Sequence, residues 1–294
     1  MDDTSSQVLK AAPRAELRVG VMQGRLSPRP PGKLQEFPWQ SYAAEFPKAA
    51  RLGLHSIEWI FDAPRYEENP IWTEAGREEI RGLIAATGVR VQSVCADYFM
   101  LHRLAGESPA ALAHHRDVLA DLIVAAHAVG ADRILIPLLE TSAVDSPELK
   151  REVALSLRSA VPMAERYGVT LGLEMEIPGH EYAKVVESVG SAKVRAYYDT
   201  GNSTAQGLDI AQDIAPLLPL LHAVHVKDRV RGGSSKPLGT GDANFQEFFP
   251  RLLRAGFRGD FVLQHYFEAD PELEAERSLR FVEQLIDHAK SEAA

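Results

Sequence analysis

The stretch 169-VTLGLEME-176 decides the fold. Strand alternation puts Leu171, Leu173 and Met175 on one face, suited to packing under helices, and Gly172, Glu174 and Glu176 on the other. An acid on an inward face is expensive unless it is paired or bound to a metal. Three later runs share this design: 194-VRAYYDTGN-202, 222-HAVHVKD-228 and 260-DFVLQHYF-267 carry Asp199, His225 and Gln264 near their carboxyl ends. In a barrel of parallel strands these ends converge on one mouth, so donors far apart in sequence meet around one divalent cation.

Four earlier runs complete the set: 17-LRVGVM-22, 55-HSIEWIF-61, 89-VRVQSVC-95 and 133-RILIPLL-139. Near-continuous apolar strands alternating with helical patterns predict a parallel sheet with crossover helices. Helix punctuation agrees, because Gly53, Gly88, Gly130, Gly168, Gly190 and Gly256 stand where helices should stop. Ser108-Pro109, Ser146-Pro147 and Asp270-Pro271 each pair an N-cap side chain with proline at the first helical position. An open doubly wound sheet would carry a glycine-rich phosphate turn after its first strand. Here 22-MQGRLSPRPPGK-33 follows instead, without G-x-G-x-x-G. The expected fold is α/β, a single (β/α)8 TIM barrel over 17–294 behind a flexible extension over 1–16, a size that 294 residues suit. The stretches 27-SPRPPGK-33 and 231-RGGSSKPLGTGD-242 read as loops over the mouth.

A net charge of −9 repels a phosphate polyanion overall, which argues against nucleic acid as a partner and for a small substrate. Cys95 is the only cysteine, so no internal disulfide or thiolate cluster forms, and any metal must take oxygen and nitrogen donors. The start is polar and acidic, and no apolar run reaches the roughly 20 residues of a membrane span, so a cytoplasmic protein is expected.

Each candidate side chain has a second reading. Asp199 stands before Thr200-Gly201, where an aspartate often simply caps a turn. His225 shares its face with Lys227, which favours a polar cavity over a satisfied core histidine. Lys227 is suited to neutralise a developing enolate or to bind an anionic group, or else to pair with a carboxylate. Gln264 shares a face with Val262 and Tyr266, opposite the bulkier Phe261, Leu263, His265 and Phe267. Its carbonyl can ligate a hard cation but cannot act as a base; the alternative is a hydrogen-bonding strut.

The segments 171-LGLEME-176, 198-YDTGN-202, 225-HVKD-228 and 239-GTGDANF-245, in this order and spacing, resemble the xylose-isomerase-like superfamily of TIM barrels. That group includes sugar and sugar-phosphate isomerases and epimerases, keto-inositol dehydratases and endonuclease IV-type nucleases. The opening 20-GVMQGRLSP-28 with 56-SIEWIFD-62 and 93-SVCADYFM-100 is similar to a branch of sugar-phosphate isomerases. The resemblance implies a Glu, Asp, His, Glu set around one divalent ion: manganese, cobalt, magnesium or zinc. Glu174, Asp199 and His225 match it, while Gln264 stands where the second glutamate is expected and Asn202 where a second histidine often lies. Ketose 3-epimerases of this kind use two glutamates on opposite faces of the substrate; with Gln264 only a single-base route remains.

The expected activity is therefore proton abstraction next to a carbonyl of a sugar or sugar phosphate, through a metal-stabilised enediolate. Glu174 is ligand and base, Glu140 at the end of the fourth strand is the candidate second carboxylate, and Lys227 offers its charge. Gln23, Arg25, Glu58, Asp97 and Lys236 are the candidate substrate contacts, with Arg25 or Lys236 suited to a phosphate or carboxylate. A keto-sugar dehydratase on the same metal site is the nearest rival. A sugar-binding barrel that has lost catalysis is another, and an endonuclease would need more histidines and a basic groove. Assembly into a homo-oligomer is expected by analogy alone.

Overall fold

The computed structural model describes residues 18–28, 32, 35–265 and 269–292. The extension 1–16, part of the 27–33 loop, and Tyr266 and Phe267 lie outside the described residues. Eight strands close a barrel: β1 Val19–Met22, β2 Ser56–Ile60, β3 Arg90–Cys95, β4 Arg133–Leu138, β5 Thr170–Met175, β6 Val194–Asp199, β7 Leu221–Val226 and β8 Asp260–Leu263. Every neighbouring pair is parallel, and β1 closes the ring by pairing with both β2 and β8. All eight runs read from the sequence are strands. Their residues are almost all buried, as expected when helices cover the outer face and side chains fill the interior.

The helix boundaries follow the punctuation. Gly53, Gly88, Gly168 and Gly190 cap helix ends in the left-handed conformation, while Gly130 and Gly256 take the same conformation one residue beyond the cap. Ser108 accepts the Ala111 N–H, Ser146 the Leu149 N–H and Asp270 the Leu273 N–H, each cap worth about 1 kcal/mol. These caps start the helices Pro109–Ala128, Pro147–Tyr167 and Pro271–Glu292.

The loop after β7 folds into a two-stranded hairpin, Asp228–Arg229 against Ser235–Lys236. Its anchor is the Asp228 carboxylate, which accepts the N–H groups of Gly239 (2.9 Å), Gly241 (2.8 Å) and Ala243 (3.2 Å). A Cβ at position 241 would lie 2.3 Å from Asp228 Oδ1, so only glycine lets the backbone close on this carboxylate. The 239-GTGDANF-245 segment is thus a backbone cradle for Asp228.

Candidate active site

Strand register sets the geometry. Asp199 on β6 is the lateral neighbour of His225 on β7, and Glu174 enters from β5. One ligand atom from each of these three buried residues lies within 4.8 Å of the other two. Nδ1 of His225 is 3.8 Å from Glu174 Oε2 and 3.8 Å from Asp199 Oδ2. Such spacings fall below twice the ~2.0–2.2 Å that separates a divalent ion from imidazole nitrogen or carboxylate oxygen.

The two readings of Asp199 are both realised, one per oxygen. Oδ1 caps the helix Thr200–Ala205 by accepting the Asn202 N–H at 2.8 Å. Oδ2 is buried without a hydrogen-bond partner among the described residues, and so is His225 Nδ1. Two adjacent orphaned atoms of this kind are costly unless something else satisfies them. A divalent cation would do so, and the donor set of two carboxylates and one imidazole suits one.

Behind the cluster, Nε2 of His225 lies 2.5 Å from Oε1 of Glu58 on β2. The other Glu58 oxygen accepts from Ser93 Oγ (2.5 Å) and Tyr197 Oη (2.6 Å). Glu58, expected among the substrate contacts, is therefore 1 % exposed and committed to protein partners. Burial works to raise its pKa, but His225 and these hydrogen bonds hold it below the ordinary carboxylate range. Room for the Tyr197 ring comes from Gly172, where a Cβ would meet the ring at 3.0 Å. A carboxylate that takes the Nε2–H leaves the Nδ1 lone pair for a metal.

Charge in the cluster is strongly coupled. Burial pushes the Glu174 carboxyl up to about 8, against the opposing pull of His225 and with the help of Asp199. Burial alone would lower His225, yet Glu58, Glu174 and Asp199 raise it to about 9. Asn202 ties the cluster to two cations: its Nδ2 donates to Glu174 Oε1 (3.0 Å), while its Oδ1 accepts from Lys227 Nζ (3.2 Å) and Arg229 Nη1 (3.1 Å). Lys227 Nζ also lies 3.9 Å from Asp199 Oδ2. Gly201 permits this approach, since a Cβ there would sit 2.6 Å from Lys227 Cγ.

On the opposite side a loop glutamine, Gln35, joins three of the predicted residues. Its Oε1 accepts from Arg25 Nη2 (3.3 Å) and Gln264 Nε2 (3.1 Å), and its Nε2 donates to Asp97 Oδ2 (2.7 Å). Burial raises the Asp97 pKa against the pull of Gln35 and Cys95. The Gln264 carbonyl oxygen is likewise buried without a hydrogen-bond partner among the described residues. Gln23 sits below this layer, where its Oε1 accepts the Ile60 N–H at 2.9 Å.

Two expected residues lie apart. Glu140 is exposed in the short turn Glu140–Ser142 after β4, with a positive φ of 49°, and it contributes no atom to the three-residue ligand group. Lys236 is exposed on the outer strand of the β7 hairpin. Gln35 was not legible because a loop has no periodicity. Tyr197 was also not singled out, although its inward parity with Asp199 is a signal that could have found it.

The barrel and its mouth define a TIM-barrel protein with a carboxylate–imidazole cluster at the carboxyl ends of its strands. The chain belongs to the xylose isomerase-like TIM barrel family, which it matches over residues 46–285. It is 27% identical over 255 residues to the L-ribulose-5-phosphate 3-epimerase UlaE of Shigella flexneri serotype 5b, covering 80% of this chain and 86% of that one. Among solved structures, D-psicose 3-epimerase with D-tagatose from Clostridium cellulolyticum H10 superposes with a TM-score of 0.74 at 16% identity, covering 92% of this chain and 99% of that one. A xylose isomerase-like TIM barrel protein from Mycobacterium smegmatis, in complex with magnesium, gives 0.71 at 19% identity, covering 93% and 97%. No helix among the described residues is long and apolar enough to cross a membrane.

Proposed function

We propose that the chain is a divalent-metal-dependent isomerase or epimerase of a sugar or sugar phosphate, working by proton abstraction next to a carbonyl. The observation that carries this reading is the pair of orphaned atoms, Asp199 Oδ2 and His225 Nδ1, facing Glu174 Oε2 in a buried cluster. The names of several relatives, ketose or ketose-phosphate 3-epimerases and a 3-keto-D-glucoside 4-epimerase, support the same chemistry. A bound ion would be held by Glu174, Asp199 and His225, with the Gln264 carbonyl as a fourth donor, and would supply Lewis acidity toward the substrate oxygens.

The protein groups divide the remaining work. Glu174 Oε2 faces His225 Nδ1, which leaves Oε1, oriented by Asn202, to take the substrate proton. A carboxylate so placed is suited to take that proton and return it. Lys227, beside Asn202 and Asp199, places positive charge where the enediolate develops. Arg25 and Asp97, joined by Gln35, line the other side as substrate contacts. Glu58 positions His225 rather than touching substrate, and Glu140 and Lys236 are left as residues of the outer mouth.

Gln264 favours a second reading. An amide cannot return a proton to the opposite face, so one base serving one face is compatible with 1,2-isomerisation, or with β-elimination of water from a keto sugar. Incubating the enzyme and Mn2+ with a panel of ketoses and their 5-phosphates in D2O, read by proton NMR and mass spectrometry, separates these outcomes. Label entering carbon without loss of water supports isomerisation or epimerisation, and loss of water supports dehydration. No label and no product across the panel contradicts the catalytic reading.

A further inference from the structure

The end of the barrel opposite the mouth holds a second cluster of polar residues that the catalytic site does not use. A cavity of about 500 Å3 opens there, lined by Arg18, Arg133, Arg195 and Arg258, with only Asp132 and Asp260 as opposing charges. Arg133 takes both aspartates: its Nε donates to Asp132 Oδ1 at 3.0 Å and its Nη2 to Asp260 Oδ2. Arg18, Arg195 and Arg258 make no ion pair among the described residues. Among the described residues Arg195 and Arg258 donate to the backbone carbonyls of Pro219 and Phe257 and to no side chain. In a chain of net charge −9, four guanidinium groups against two carboxylates around one concavity leave a local positive field.

The cavity wall also exposes a deficit of partners. Among the described residues Arg133, 4 % exposed, has no acceptor for its Nη1, and Gln92, 3 % exposed, has no donor for its Oε1. His222 adds a third buried orphan, Nε2. An unpaired guanidinium donor and an unpaired amide acceptor in one cationic cavity call for a ligand that brings negative oxygens and a hydroxyl together. We propose that this cavity is a second binding site, for a phosphate-type oxyanion carrying a hydroxyl, held by Arg133 with Arg195 and Arg258 at the rim and Gln92 accepting the hydroxyl. Phosphate suits guanidinium groups because its oxygens accept their paired N–H donors. Free inorganic phosphate and a small phosphate monoester both fit this chemistry.

Calorimetric titration of the full-length protein with inorganic phosphate, and separately with glycerol 1-phosphate, at constant ionic strength tests the proposal, with the His222 imidazole NMR signals as a local reporter. Saturable binding of one anion per chain that shifts His222, and that persists in Asp199→Asn, places the ligand at this end and not at the mouth. Tighter binding of the ester identifies the monoester as the preferred source, and equal binding identifies free phosphate. Arg195→Ala with Arg258→Ala is expected to weaken binding at least about tenfold, and the corresponding lysine replacements to restore part of it. No saturable binding up to about 10 mM, or binding undiminished in the double alanine variant, overturns the proposal.

Discussion

His225 Nε2 and Glu58 Oε1 meet at 2.5 Å, a contact between β7 and β2 across 167 positions of sequence. It fixes which imidazole nitrogen carries the proton and so which one faces Glu174 and Asp199. Glu58→Gln keeps the shape but loses the charge that supports the ring. Because removal of such an outer partner typically costs about 10–100-fold in metal affinity, Mn2+ titration of this variant is expected to show a loss of that size. An unchanged dissociation constant would leave Glu58 with packing alone.

The two oxygens of Asp199 separate a structural role from a chemical one. Asparagine is a good N-cap, so Asp199→Asn retains the bond from the Asn202 N–H while losing the free carboxylate oxygen. Asp199→Ala loses both. Both variants are expected to lose metal and activity. Only the alanine variant should also lose about 1 kcal/mol of stability, measured by urea unfolding of the metal-free proteins.

Gln264→Glu supplies a carboxylate at the position where the family resemblance implies one. It is expected to tighten divalent metal binding by about tenfold or more, since charge count sets affinity at oxygen sites. The metal-free variant should be less stable than the parent above neutral pH, because a third acid then joins Glu174 and Asp199. If affinity does not change, the side chain at 264 is a strut to Gln35 and no ligand.

Protons and metal compete for the same atoms. With Glu174 raised to about 8 and His225 to about 9, the metal-free cluster holds protons at neutral pH that a bound ion must displace. Affinity should therefore rise as pH increases from 6 to 9. Calorimetry in buffers of different ionisation enthalpy should register proton release on binding at pH 7. Uptake of protons, or no pH dependence, would contradict this assignment.

Away from the site, Glu45 accepts the Gly24 N–H at 2.9 Å beneath the turn after β1, and burial raises its pKa to about 7. A folded-state pKa above the unfolded value means that the fold binds this proton more tightly. The cost of ionising Glu45 in the fold is absent below pH 4.5, grows as pH rises to 7 and is then constant. Its ceiling is roughly 3 kcal/mol. Glu45→Gln keeps an acceptor for Gly24, so the loss of stability between pH 5 and pH 8 should shrink in this variant. Denaturant midpoints at the two pH values check it.

Most of the barrel was legible because strand burial leaves a direct imprint. Runs such as 133-RILIPLL-139 are apolar on both faces, and glycines such as Gly88 and Gly168 mark the helix ends. Glu174, Asp199 and His225 were legible because period-two alternation turns them inward near strand ends. The role of Glu58 was not, since nothing local says that its carboxylate meets the His225 ring from across the barrel. Gln35 and the Asp228 cradle depend on loop paths, which carry no period. Glu140 stands at a strand end like the others, yet the left-handed turn at its own position leaves it exposed.

The central claim is that Glu174, Asp199 and His225 hold one divalent ion, and metal content after exhaustive dialysis against trace Mn2+ tests it most directly. One ion per chain in the parent, with none retained in Glu174→Gln or Asp199→Asn of intact fold, is the predicted result. No bound ion in the parent, or an ion retained equally in both variants, would contradict it.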